Sequence, residues 1–148
     1  MELKDEIRIE APRQTVYEAL NDPDILKQCI PGCEELIKHS DTELEAKVVL
    51  KIGPVKAKFG GNVTLDPSEA PERFSLSGEG NGGIAGFAKG GADVELVEDG
   101  DATILRYEAK AEIGGKLAQL GSRLVTSTSK KLAGKFFEEF ATKVAPQA

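Results

Sequence analysis

The stretch GGKLAQLGSRLVTSTSKKLAGKFFEEFATKVA, residues 114–145, decides how the rest of the chain is read. Leu117, Leu120, Leu124, Leu132, Phe136, Phe140 and Val144 recur at steps of three or four, with one step of eight. That spacing lays them along one stripe of a helix. At 1.5 Å rise per residue the helix is about 45 Å long, enough to cross a small domain. Its two ends are apolar and its centre is slim. Gly121, Ser122, Thr126, Ser127, Thr128, Ser129 and Gly134 stand where a packed helix usually carries Leu or Ala. Such a helix can grip a sheet at both ends and leave room, or polar handles, between them.

The residues before it read as that sheet. Leu3, Ile7 and Ile9 alternate with charged residues, the period of a half-buried strand, with Asp5 as the exception on the apolar face. Ala11-Pro12 stops this strand, and Arg13 to Leu20 read as a short helix with Val16, Tyr17 and Leu20 inward. Asn21-Asp22-Pro23 turns the chain into a second short helix that Pro31-Gly32 ends. The clearest hairpin follows: Leu44, Ala46, Val48, Leu50 and Ile52 run out, Gly53-Pro54 turns, and Val55, Ala57, Phe59, Gly61, Val63 and Leu65 return. Later strands carry Phe74 and Leu76, Val94 and Leu96, and Thr103 to Ile113. Strands with segregated helices imply an α+β domain, one long helix lying across a curved antiparallel sheet of about seven strands. Ala46, Ala57, Ala92, Ala109, Ala111 and several glycines face the enclosed volume, which is expected to be incompletely filled.

Composition narrows the function. The 148 residues suit one domain, 1–148, with a single core. A net charge of -6 removes the electrostatic footprint of a nucleic-acid binder. No apolar run is long enough to span a membrane. Two cysteines and a charged strand at the very start, in place of an export signal, point to the cytoplasm.

No motif declares a chemistry. Residues 78–83 spell G-x-G-x-x-G, but the dinucleotide fingerprint needs a helix after those glycines, and another strand follows here. Strand bends and tight turns are the reading that fits. Cys29 and Cys33, four apart and with one histidine in the chain, lack the spacing and further ligands of a metal site, so no metal is expected. His39 has no sequence-identifiable partner for a catalytic triad. Thr126 to Ser129 lower helix propensity; they read as a solvated face with a slight bend or as polar contacts, Thr128 above all, facing a cavity from the helix centre. Of Phe136, Phe137 and Phe140, two can share the core-facing stripe. Core packing is the favoured reading of all three; the alternative leaves Phe137 partly exposed beside Lys130, Lys131, Lys135 and Lys143, where it could touch a membrane surface or a partner.

Several strings resemble the carbon monoxide dehydrogenase G-subunit family, a branch of the START/Bet v 1-like (SRPBCC) helix-grip superfamily. They are Ile30-Pro31-Gly32-Cys33, Ile52-Gly53-Pro54-Val55 with Phe59-Gly60-Gly61, and Pro71-Glu72-Arg73 with the glycine-rich segment after it. Gly114 to Gly121 and Phe136 to Phe140 complete the set, so the resemblance spans essentially the whole chain. It implies a helix-grip fold with a hydrophobic cavity for a lipid, polyketide, sterol or quinone-like molecule. It also implies a non-catalytic, accessory role beside a molybdenum-containing hydroxylase of the carbon monoxide dehydrogenase type. That role is recruitment of the enzyme to the inner face of the membrane or hand-over of electrons to a quinone.

The expected ligand site comprises Ile30, Leu50, Phe59, Val94, Tyr107, Leu120, Leu124 and Thr128. A bound quinone or lipid is the one cofactor-like molecule anticipated, with Tyr107 and Thr128 each offering it a hydrogen bond. Replacing Leu124 with Trp is expected to fill the cavity. The alternatives are a docking or maturation subunit with no ligand, and a small cavity enzyme of cyclase or dehydratase type. The enzyme would have to draw its acid–base groups from Tyr107, Asp5 and His39.

Overall fold

The computed structural model describes residues 1–145. β1 (Glu2–Ile9) leads through α1 (Arg13–Leu20) and α2 (Pro23–Cys29) into a meander of six strands. These are β2 (Cys33–Ser40), β3 (Glu43–Ile52), β4 (Val55–Asp66), β5 (Arg73–Asn81), β6 (Phe87–Asp99) and β7 (Ala102–Gly114). A single 3-10 turn, Gly83–Ala85, joins β5 to β6, and α3 (Lys116–Gln119) and α4 (Ser122–Val144) close the described chain. The seven strands form one curved antiparallel sheet in the order β1-β7-β6-β5-β4-β3-β2. The expected α+β architecture is present.

The strand order has a consequence for the site. β1 and β2 lie on opposite edges, so α1 and α2 must cross the face between them. Proline and aspartate set that crossing: Pro12 precedes α1, and Asp22 caps α2 by accepting a hydrogen bond from the Asp24 amide at 2.9 Å, with Pro23 in its first turn. The Thr103 hydroxyl, fully buried, donates to the Ala11 carbonyl at 2.7 Å and ties the start of the crossing to β7. The G-x-G-x-x-G glycines lie in β5 and the turn after it, and β6 rather than a helix follows. At Gly90 on β6 a Cβ would sit 2.0 Å from the Lys110 carbonyl oxygen, so only glycine allows β6 and β7 to come this close.

The C-terminal helix departs from the expected continuous one. It breaks at Leu120-Gly121, where Gly121 adopts a φ of 91°, a left-handed conformation that side chains with a Cβ resist. α4 alone has 23 residues, about 34 Å of rise. The break resets the helical phase. Val125, outside the stripe counted from Leu117, is buried, and the spacing Val125–Leu132–Phe136–Phe140 runs through α4 without the step of eight. Leu117 and Leu120 precede the break and pack elsewhere.

Two apolar clusters result. The larger gathers Ile9, Val16, Phe74, Leu96, Leu105 and Phe140 under α1, α2 and the second half of α4. All three phenylalanines of α4 join it. Phe136 stacks on Phe140 with centroids 5.8 Å apart, and Phe137 stacks on Tyr107 at 5.4 Å, so Phe137 packs inward, as the favoured reading has it. The smaller cluster sits at the other end of the sheet, with Ile52, Phe59, Ala85 and Leu117 buried and Leu50 and Leu120 packed against them. Between the clusters the inner face is floored by half-buried Gly61, Gly78, Gly90, Ala92, Ala109 and Ala111.

Candidate functional site

An apolar cavity of about 240 Å³ lies at the large-cluster end, between α2, α4 and the sheet. Its construction follows from the topology. Alternation turns Leu44, Val63, Leu65, Leu76 and Val94 to the inner face, α2 brings Leu26 and Ile30 across it, and α4 supplies Phe136 and Phe137. Polar groups appear at the rim, where Asn21, Lys38, Asp41 and Thr42 surround the mouth. Lys38 Nζ donates to the Asn21 carbonyl oxygen at 3.1 Å and so links the α1–α2 turn to β2 across that mouth.

Phe137 is the wall between this cavity and a second recess of about 300 Å³ on the β1 edge. Asp5, Ile7, Tyr107, Lys130 and Gly134 line that recess. The Tyr107 ring backs Phe137, and Phe136 meets Phe137 edge to face at 5.0 Å. Burial raises the Tyr107 phenol pKa above its usual value, and the neighbouring Asp5 carboxylate adds to the effect, so Tyr107 stays neutral and a donor over the physiological range. The Cys29 thiol is buried and free; burial first, then the Glu139 charge, pushes its pKa up and keeps it an unreactive thiol. Cys33, half-buried, is shifted the same way by burial. His39 pairs with Glu45 at 2.7 Å on the exposed edge, away from the cavity.

The structure brings together some of the expected site residues and separates others. Ile30 and Val94 line the cavity. Tyr107 lies behind Phe137 and lines the second recess. Leu50, Phe59 and Leu120 belong to the smaller cluster at the far end. Leu124 lies against the Gly53 turn, and Thr128 is half-buried on α4; neither lines the cavity. Leu26, Leu44, Val63, Leu65, Phe74, Leu76, Phe136 and Phe137 line the cavity and were outside the expected set. The inward alternation of the strand residues among them was visible in the sequence. What selects them is the place where α2 crosses, a tertiary fact.

A larger concavity, about 620 Å³, lies on the outer face of the sheet. It is shallow and lined mostly by charged and polar residues. An ion-pair ladder of Arg73, Glu95, Arg106 and Glu6 runs across it at 2.7, 3.4 and 2.8 Å. These side chains are substantially solvated, so each pair contributes little to stability. The enclosed apolar cavity is the better candidate site.

Residues 6–145 match the family model that describes the G subunit of carbon monoxide dehydrogenase (CoxG). No curated protein sequence matches the chain. Among solved structures, a conserved protein from Geobacillus kaustophilus is similar at 28% identity, with 97% of this chain and 95% of that one covered and a TM-score of 0.90. A START superfamily protein from Mycobacterium smegmatis is similar at 14% identity, over 97% and 96% of the two chains, with a TM-score of 0.73. A STAR-related lipid transfer protein from Xanthomonas axonopodis is similar at 20% identity, over 97% and 85%, with a TM-score of 0.64. The two distant structures share the fold.

Proposed function

Because the chain belongs to the CoxG family, that of the carbon monoxide dehydrogenase G subunit, we propose that it is a non-catalytic accessory protein carrying a quinone- or lipid-like ligand in the α2-end cavity. In this reading it serves a molybdenum-containing hydroxylase of the carbon monoxide dehydrogenase type, in membrane recruitment or electron hand-over. The observation that carries the ligand half is the cavity itself. Its walls are apolar side chains and its polar groups stand at the rim, so an apolar occupant removes the facing surfaces from water at roughly 25 cal/mol per Å². The volume suits one ring system or a short chain. In this proposal the ring sits against Ile30, Val94 and Phe137. A prenyl or acyl tail continues over the glycine–alanine floor, reaching Leu124 and Thr128 and then Leu50, Phe59 and Leu120.

The accessory reading is favoured over a cavity enzyme by the lining. Lys38 and Asp41, both at the rim, are the titratable residues among those that line the cavity. His39, Asp5 and Tyr107 do not converge on it. Acid–base work needs such groups within hydrogen-bond reach of the substrate.

Native mass spectrometry of the protein from its own cells, followed by solvent extraction, tests the proposal. A stoichiometric quinone or lipid is expected. A clean ligand-free mass, unchanged by added quinones, would favour a docking subunit instead.

A further inference from the structure

The strand order puts the chain's turns at two poles, and their charges differ. Residues 41–45, 66–72 and 98–101 turn at the pole near the cavity mouth and carry nine acids with no lysine or arginine. Residues 49–57, 81–88 and 113–124 turn at the other pole and carry Lys51, Lys56, Lys116 and Arg123 with no acid. These segments adjoin one another: Lys51 pairs with Lys56 across the Gly53-Pro54 turn, and the Gly83–Ala85 turn packs on β4 and α3. Among the described residues none of the four cations has a carboxylate at ion-pair distance, whereas nearby Lys58 is held by Glu34. Arg123 stands in the first turn of α4, where the positive end of the helix disfavours a cation. The same pole carries the most exposed large apolar side chain among those described, Ile84 at 85%, with Phe87 at 45% beside it.

We infer that this pole is a membrane-docking tip for an anionic bilayer, with Ile84 and Phe87 entering the headgroup boundary and the four cations lying over it. An apolar point ringed by cations is the surface that interfacial binding needs. The acidic opposite pole turns the molecule tip-first as it approaches a negative surface. The recruitment half of the proposed function is thereby given a surface and a lipid charge. Ligand entry is separate from it, because the cavity mouth lies at the other pole.

The test is co-sedimentation of the full chain with vesicles of phosphatidylcholine alone or mixed with phosphatidylglycerol, at low and high salt. Binding is expected to the mixed vesicles only, and to weaken as salt rises. Ile84→Glu should reduce it on the order of tenfold or more. Lys51→Gln and Lys56→Gln should each reduce it about fivefold. All three side chains are exposed, so melting temperatures should not move. Lys130→Gln with Lys131→Gln, on the mid-helix surface, should bind as the parent does. No binding to mixed vesicles at low salt would overturn the inference, as would binding that ignores Ile84 and the tip lysines or follows the α4 lysines. Capture by an acidic protein without vesicle binding would also overturn it. Quinone uptake by the same variants keeps the two readings apart, since a failed tip leaves uptake intact and a failed cavity leaves vesicle binding intact.

Discussion

The two ends of the space between α4 and the sheet are closed in different ways. At the α2 end, three phenylalanines, Tyr17 and Tyr107 pack over long aliphatic strand residues, and the mismatch of these shapes leaves the cavity. At the α3 end a short helix and a glycine break replace the aromatic layer, and a small cluster around Phe59 and Leu117 suffices. Large rigid side chains under crossing helices create concavity. At the α3 end the small cluster closes the space, and the turn beside it leaves Ile84 exposed. One end is therefore suited to holding a molecule inside, and the other to presenting a surface.

The largest expected effect that sharpens this contrast comes from Phe140, which is fully buried at the centre of the large cluster. Phe140→Ala should cost about 3–5 kcal/mol in denaturant unfolding. Leu117→Ala, in the smaller cluster, should fall nearer about 2 kcal/mol, at the low end for a buried leucine. Equal losses would break the comparison. Next comes the tie between β7 and the helix crossing. Thr103→Val keeps the volume but orphans the Ala11 carbonyl, and should cost about 1–3 kcal/mol. Asp22→Ala removes the α2 cap and should cost about 1 kcal/mol, with faster amide exchange confined to α2 and the cavity mouth.

The smallest effect is a pH dependence. The folded pKa of Tyr107 is raised, so its contribution is fully present below the unfolded value of about 10 and is lost as pH rises through the folded value. Stability should therefore decline above about pH 10, and Tyr107→Phe should flatten part of that decline.

The contrast also marks what the sequence could disclose. Alternation in Leu44–Leu65 and Leu3–Ile9 identified the inward faces, because a period of two is a local property. The helix stripe was legible in type but not in phase. Gly121 looked like one more small residue until its positive φ separated Leu117 and Leu120 from α4 and brought Val125 inward. The expected site residues were drawn from the whole inner face. Which of them meet depends on where α2 crosses and on how Phe137 leans on Tyr107, contacts between elements remote in the chain. The charge contrast between the poles was present in the sequence but became visible only once the strand order had assembled each pole.

The most direct measurement titrates a tailless quinone into the protein with Val63→Phe or Leu124→Trp. Val63 lines the α2-end cavity, and Leu124 packs against the Gly53 turn beyond it. The account predicts that Val63→Phe weakens binding on the order of tenfold or more with the fold intact, and that Leu124→Trp leaves a tailless quinone unaffected. Loss of binding with Leu124→Trp and none with Val63→Phe would contradict it, and would move the site to the far end of the helix.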